Sequence, residues 1–335
     1  MDIGVFLGSA VVSLAALGIG SYLGYLDNKT PDWTWVPAFL LIDIAHVWAT
    51  GFRTYFDRKE LLRRPWLYSL VPVIGLFLGI ALYSEGHIVF WRVLAYLAVF
   101  HFVRQQYGWV ALYRAKLGER DRLGYWIDSF AIYLATLYPL IYWHSHLPRD
   151  FWWFVQDDFT ALPPILERLT APVYWSALGL YALRSLKSWF ILRRPNPGKD
   201  IVVVTTAVCW YAGIVAFNSD YSFTVTNVFI HGVPYLALVY WYRFARSTAE
   251  TAGPGHIQRL TTFLGLLWLL AYGEEMLWDR GVWHERAGMF GASWDWENLK
   301  IIMVPLLALP QFTHYILDGF IWRRKSNPDF TLVSR

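Results

Sequence analysis

Ten mostly apolar runs divide the chain, at about 3–26, 33–52, 66–84, 88–113, 123–143, 172–192, 201–217, 221–244, 259–278 and 298–322. A helix crossing a bilayer needs roughly 20 such residues. Between the runs lie turn and breaker clusters such as Asp27-Asn28-Lys29-Thr30-Pro31, Pro195-Asn196-Pro197-Gly198 and Gly253-Pro254-Gly255. The pattern predicts an all-α, polytopic transmembrane helix bundle of about ten spans. With no repeat, low-complexity tract or separating linker, residues 1–335 read as a single transmembrane domain. The first run has no basic residue ahead of it, so it is expected to stay as a helix instead of being removed as a signal peptide.

Composition supports this pattern. The chain is 56% hydrophobic and 16% charged, which excludes disorder and leaves too little polar surface for a soluble globule. The single cysteine, Cys209, excludes an internal disulfide framework and a cysteine-rich zinc site. A net charge of +4 does not point to nucleic acid, because the basic residues sit in short clusters between apolar runs. Nineteen Lys and Arg fall in 53–64, 114–122, 193–199, at Arg243, Arg246 and Arg259, and in the tail from Arg323; the alternate loops hold six. The positive-inside rule then places the N-terminus outside and the C-terminus in the cytoplasm, with the bacterial inner membrane as the expected location. Within the runs, Arg92 is expected to snorkel outward, and Arg184 and Lys187 to reach the inner interface.

Two outer loops are long. Residues 144–171 carry Phe151-Trp152-Trp153-Phe154 and an amphipathic stretch through Ile165, and 279–297 carry Trp283, His284, Trp294 and Trp296. Each reads first as an aromatic interfacial segment and second as a cover over a site. Glu274, Glu275 and Asp128 read as carboxylates near span ends. Asn28-Lys29-Thr30 matches a short glycosylation pattern.

The chemistry concentrates on histidine. Five of nine histidines fall in loops or at span ends, but His46, His101, His231 and His314 lie inside spans two, four, eight and ten. An ionisable side chain there is costly and marks function by default. All four spans run from outside to inside. At 1.5 Å per residue, the histidines share a band about 10 Å deep. Each has polar neighbours three or four residues away: Asp43 before His46, Arg104 and Gln105 after His101, Asn227 and Tyr235 around His231, Gln311 and Asp318 around His314. Spans one, three and seven carry no charge and no histidine.

Four neutral imidazoles suit iron, zinc or copper. A divalent ion among them needs nearby negative charge, and Asp43 and Asp318 are the carboxylates at that depth. Arg104 is expected to pair with one of them. Haem ligation, a transporter built on the Asp43, Arg104, His101 and Asp318 cluster, and four merely hydrogen-bonded core histidines are the other readings.

The window Leu309-Pro310-Gln311-Phe312-Thr313-His314-Tyr315-Ile316-Leu317-Asp318-Gly319-Phe320-Ile321-Trp322-Arg323, with Phe229-Ile230-His231, Phe100-His101-Phe102 and Asp43-Ile44-Ala45-His46, resembles the bacterial β-carotene dioxygenase (Brp/Blh-like) membrane family. The chain departs from it in placing Asp43 before His46, in carrying Arg104-Gln105-Gln106 after His101, and in having Tyr235 where that family has a second histidine. The resemblance implies ferrous iron held by His46, His101, His231 and His314, and an oxygenase acting on an apolar lipid-like substrate such as a carotenoid. On that view Arg104, Gln105 and Tyr235 are the candidate catalytic contacts. Asp43, Asn227 and Asp318 would support the cofactor, with haem as the alternative, and the partners are the bilayer and the substrate.

Overall fold

The computed structural model describes residues 2–27, 30–245 and 255–323. The Asn28-Lys29 part of the glycosylation pattern, Arg246 and the tail beyond Arg323 lie outside them. The described residues form an all-helical protein with no strand. Among the described residues, eight helices are long and apolar enough to cross a membrane: α1 (Ile3–Tyr22), α2 (Asp32–Arg53), α3 (Pro65–Ser84), α4 (His87–Lys116), then, after two others, α7 (Pro197–Ala216), α8 (Asp220–Phe244), α9 (His256–Trp283) and α10 (Glu297–Ile321). The two others, α5 (Arg122–Ser145) and α6 (Pro164–Leu186), match the fifth and sixth apolar runs in place. They are long enough but more polar, because α5 carries Arg122, Asp128 and His144, and α6 carries Glu167, Arg168 and Arg184.

The chain groups into two compact units. Among the described residues, one is built from 2–34 and 99–234, the other from 35–98 and 235–323. In the first, α1 lies along the unit's other helices through Phe6, whose ring meets Trp109 edge-on at 4.9 Å, and through Leu17, packed with Tyr221 and Val225. Tyr138 of α5 stacks on Tyr174 of α6 at 4.5 Å. The C-terminal ends of α4 and α6 and the N-terminal ends of α5 and α7 meet at an ion cluster around buried Asp128. Asp128 binds Arg114, Arg184 and Lys199, and Glu119 binds Lys199 and Asn196. Arg184, expected to reach the inner interface, pairs here with Asp128 and Asp121. The same residues start helices: Asp121 accepts the Gly124 N–H that opens α5, and Asn196 accepts the Lys199 N–H that opens α7.

The second unit has a core of Leu40, Ile44, Ala49, Leu236, Val239, Phe263, Leu267 and Ala271 from α2, α8 and α9. Here α3 is mostly exposed, and apolar side chains such as Ile74 and Phe77 point outward, as lipid-facing residues do. Without a hydrophobic drive between helices in lipid, small residues let helices approach closely. Gly75 and Gly79, one turn apart, serve this purpose against α10. A Cβ at Gly75 would come within 2.5 Å of the Phe312 ring, and one at Gly79 within 2.9 Å of Pro305. Gly75→Val is expected to cost about 1–3 kcal/mol by overpacking, read as a lower melting temperature in detergent. An unchanged melting temperature would show that α3 is free to move off α10.

Three of the four histidine-bearing helices are irregular just before the histidine. In α2 the wide π-type winding of Val36–Ile44 ends two residues before His46. In α8 the same winding covers Thr224–Val228, ahead of His231. In α10, Ala308 separates Lys300–Leu307 from Leu309–Ile321, six residues before His314. Such interruptions often mark functional positions.

Candidate metal centre

His46, His101, His231 and His314 are all buried, none more than 3% exposed. They form one group: each offers a ring nitrogen, and these four atoms lie within 4.8 Å of one another.

In the first unit, the rings of His101 (α4) and His231 (α8) stand edge to face at 5.2 Å. Phe102, next to His101, lies flat on His231, with centroids 3.5 Å apart. Gln105 falls on the same helix face as His101, and its Nε2 donates to the His231 carbonyl at 3.0 Å. Asn227, one turn before His231, is buried and donates to the Phe223 carbonyl and the Thr226 hydroxyl. Trp153 from the 144–171 loop meets Phe102 at 5.0 Å, and Phe151 and Phe159 of that loop are buried. Asp158 pins the loop by accepting the backbone N–H groups of Trp153, Phe154 and Val155. This stretch is therefore folded into its unit, one layer from a candidate ligand, and is more than a surface belt.

Arg104 does not meet the carboxylate expected for it. Its side chain is exposed, donates to the Tyr133 hydroxyl and lies 4.9 Å over the Tyr107 ring. The cause is rotation: three residues turn the helix about 60° away from His101, whereas Gln105, at four, stays within about 40° of it.

In the second unit, His46 (α2) and His314 (α10) stand edge to face at 4.9 Å, with the Tyr235 ring 5.1 Å from His314. Asp43 Oδ1 is 3.6 Å from His46 Nδ1. Asp318 Oδ1 is 3.9 Å from His314 Nδ1, too far for a direct hydrogen bond. The nearer partner of that nitrogen is Thr50, with Oγ1 at 2.6 Å. Thr50 Oγ1 is also 2.8 Å from the Tyr235 hydroxyl, which donates to Asp318 at 2.6 Å. Thr50 is missing from the sequence reading, although it sits four residues after His46 and so on the same face. Glu274, read there as one of two span-end carboxylates, is buried. It accepts from the indole N–H of Trp48 at 2.7 Å and from Gln311 Nε2 at 3.3 Å. It thus ties together the segments that carry His46 and His314.

The donor set suits a metal ion. All four groups are imidazoles, the one cysteine is not among them, and carboxylates stand just behind two of the rings.

Compared with family models, curated proteins and solved structures, the chain finds no significant match. What the fold and the site themselves establish is a membrane-type helical protein with a buried four-histidine group.

Proposed function

We propose that the protein is a membrane-embedded, non-haem iron oxygenase acting on an apolar, lipid-like substrate, with a carotenoid polyene as the first candidate. The observation that carries this reading is the buried four-histidine group with its nitrogens within 4.8 Å. His46, His101, His231 and His314 would hold the iron, which when bound supplies oxygen activation and the redox change. Asp43 and Asp318 would offset the charge of a ferrous ion among neutral ligands. Gln105 and Tyr235 would hold ligands in place: one grips the His231 backbone, the other reaches His314 through Thr50. A lipid-like substrate fits a group set within apolar helices, because molecules dissolved in the bilayer reach it most directly. A haem fits less well, since it brings its own four nitrogens and takes ligands from opposite faces. The transport reading, built on Asp43, Arg104, His101 and Asp318, is weaker because the Arg104 side chain is exposed and turned to Tyr133.

The test is metal analysis with an absorption spectrum, followed by incubation of the iron-loaded protein with carotenoids and membrane lipid extracts. The expected result is stoichiometric iron without a Soret band, with oxygen uptake and oxidised product from at least one apolar substrate. Uptake no greater than that of His231→Ala with every extract would end the oxygenase reading.

We also propose that α5 and α6 cross the membrane, giving ten spans in a bacterial cytoplasmic membrane; ten is an even number, so the N-terminus, expected outside, lies with the C-terminus and the basic loops on the cytoplasmic side. The segregation of 19 basic residues to one side supports this. A protease site placed at Asp157 is expected to be cut from outside in intact cells, while a reporter fused after Arg335 behaves as cytoplasmic. If α5 and α6 did not cross, 144–171 would lie inside and the site would be protected.

A further inference from the structure

Three side chains behind His314 form a chain of hydrogen bonds whose direction follows from counting protons. The Tyr235 hydroxyl has one proton and donates it to Asp318 Oδ1 at 2.6 Å. Its oxygen can then only accept from Thr50, 2.8 Å away. That uses the single proton of Thr50, so Thr50 Oγ1 accepts from His314 Nδ1 at 2.6 Å. Nδ1 therefore carries the imidazole proton, and Nε2 holds the lone pair. Thr50, Tyr235 and His314 are all buried and come from α2, α8 and α10, so the chain is built by tertiary packing and not by neighbours in sequence.

We infer that Thr50, Tyr235 and Asp318 are positioning residues that fix His314 in its Nε2-ligating tautomer and carry the Asp318 charge to it through two hydroxyl groups. The inference rests on the proposal that the four histidines hold a metal. An imidazole whose N–H is bonded toward a carboxylate is a more basic, better oriented ligand. Here the carboxylate acts at a distance, so its charge reaches the ring without Asp318 competing for the ion. At His46, Asp43 Oδ1 lies 3.6 Å from Nδ1. Loss of the relay should be felt first at His314, the ring that Thr50 touches.

The experiment uses the full-length protein in detergent and ferrous iron as the probe. Iron affinity is measured by chelator competition, and the ferric/ferrous midpoint by spectroelectrochemistry, for wild type, Thr50→Val, Thr50→Ser, Tyr235→Phe and Asp318→Asn. Valine keeps the shape of threonine without its hydroxyl; serine keeps the hydroxyl. We expect Thr50→Val to weaken iron binding 10- to 100-fold and to raise the midpoint, because a less basic imidazole stabilises ferric iron less. Thr50→Ser should restore both. Tyr235→Phe and Asp318→Asn should act in the same direction, and pairing either with Thr50→Val should add little, since the chain is already cut. Wild-type affinity and midpoint in Thr50→Val would overturn the relay while leaving the metal reading intact. Equal loss in Thr50→Val and Thr50→Ser would also overturn it, by showing that packing and not the hydroxyl matters. Absence of iron binding by wild-type protein would instead overturn the metal reading beneath it.

Discussion

With iron held as proposed, alanine at any one of His46, His101, His231 or His314 is expected to strip the purified protein of most of that metal. Replacing a residue that merely supports a ligand typically costs 10- to 100-fold in metal affinity. Removing one of four ligands should exceed that and drop occupancy well below one per chain after size exclusion. The comparison that gives the result meaning is His144→Ala. His144 is also buried, but its Nδ1 lies 2.6 Å from the Leu140 carbonyl on its own helix and it is not part of the four-histidine group. It should keep full iron content. Wild-type iron in all four single variants, or equal loss in His144→Ala, would remove the basis for a specific centre. The four variants should also remain folded, because an imidazole-to-methyl change leaves a cavity but no unpaired charge.

The helices and the grouping of the four histidines were legible because both depend on local sequence: apolar run length and residue count along a span. The ten long helices follow the ten runs, although α5 and α6 are too polar to stand with the other eight. Contacts fixed by side-chain rotation or by distant segments were not legible. Arg104 lies in the same turn as Gln105, yet one faces Tyr133 and the other holds the His231 carbonyl. The hydrogen bond from Trp48 to Glu274 spans 226 residues, and no periodicity announces it. Asp318 was singled out by its spacing from His314, but its link to that ring runs through Thr50, an ordinary helix threonine without the fold around it. The π-type winding of Val36–Ile44 shifts angular positions, so a regular wheel drawn through α2 misplaces residues ahead of His46.

The other large effect is expected far from the histidines, at Asp128. This carboxylate is fully buried and holds the side chains of Arg114, Arg184 and Lys199, from α4, α6 and α7. Glu119 and Asp121 complete the cluster, so three cations face three carboxylates. Asp128→Ala leaves three cations against two carboxylates and removes the one carboxylate of the cluster that is fully buried. Removing one partner of a buried pair costs about 3–5 kcal/mol, a large share of the 5–15 kcal/mol that holds a typical domain. Asp128→Asn, which keeps the shape, should lose nearly as much, because the missing quantity is charge. Acid should imitate the mutation late. Burial alone would push the Glu119 carboxyl up, but hydrogen bonds from Lys199 and Asn196 and the charges of Lys199 and Arg114 hold it below the usual range. Burial likewise opposes Arg184 and the Gly124 N–H at Asp121, and the result is again a lowered value. A lowered carboxylate contributes stability at pH values above its unfolded value and loses it as pH falls through the folded one. The cluster should therefore hold at neutral pH and fail only below the ordinary carboxylate range, whereas the Asp128 variants should be weak at every pH. Thermal unfolding in detergent from pH 8 to 3 measures this. Asp128→Ala melting at the wild-type temperature at pH 7 would show that the cluster does not hold these helix ends together. Iron bound to the variant below its melting point should match wild type, because this ion cluster and the four-histidine group share no residue.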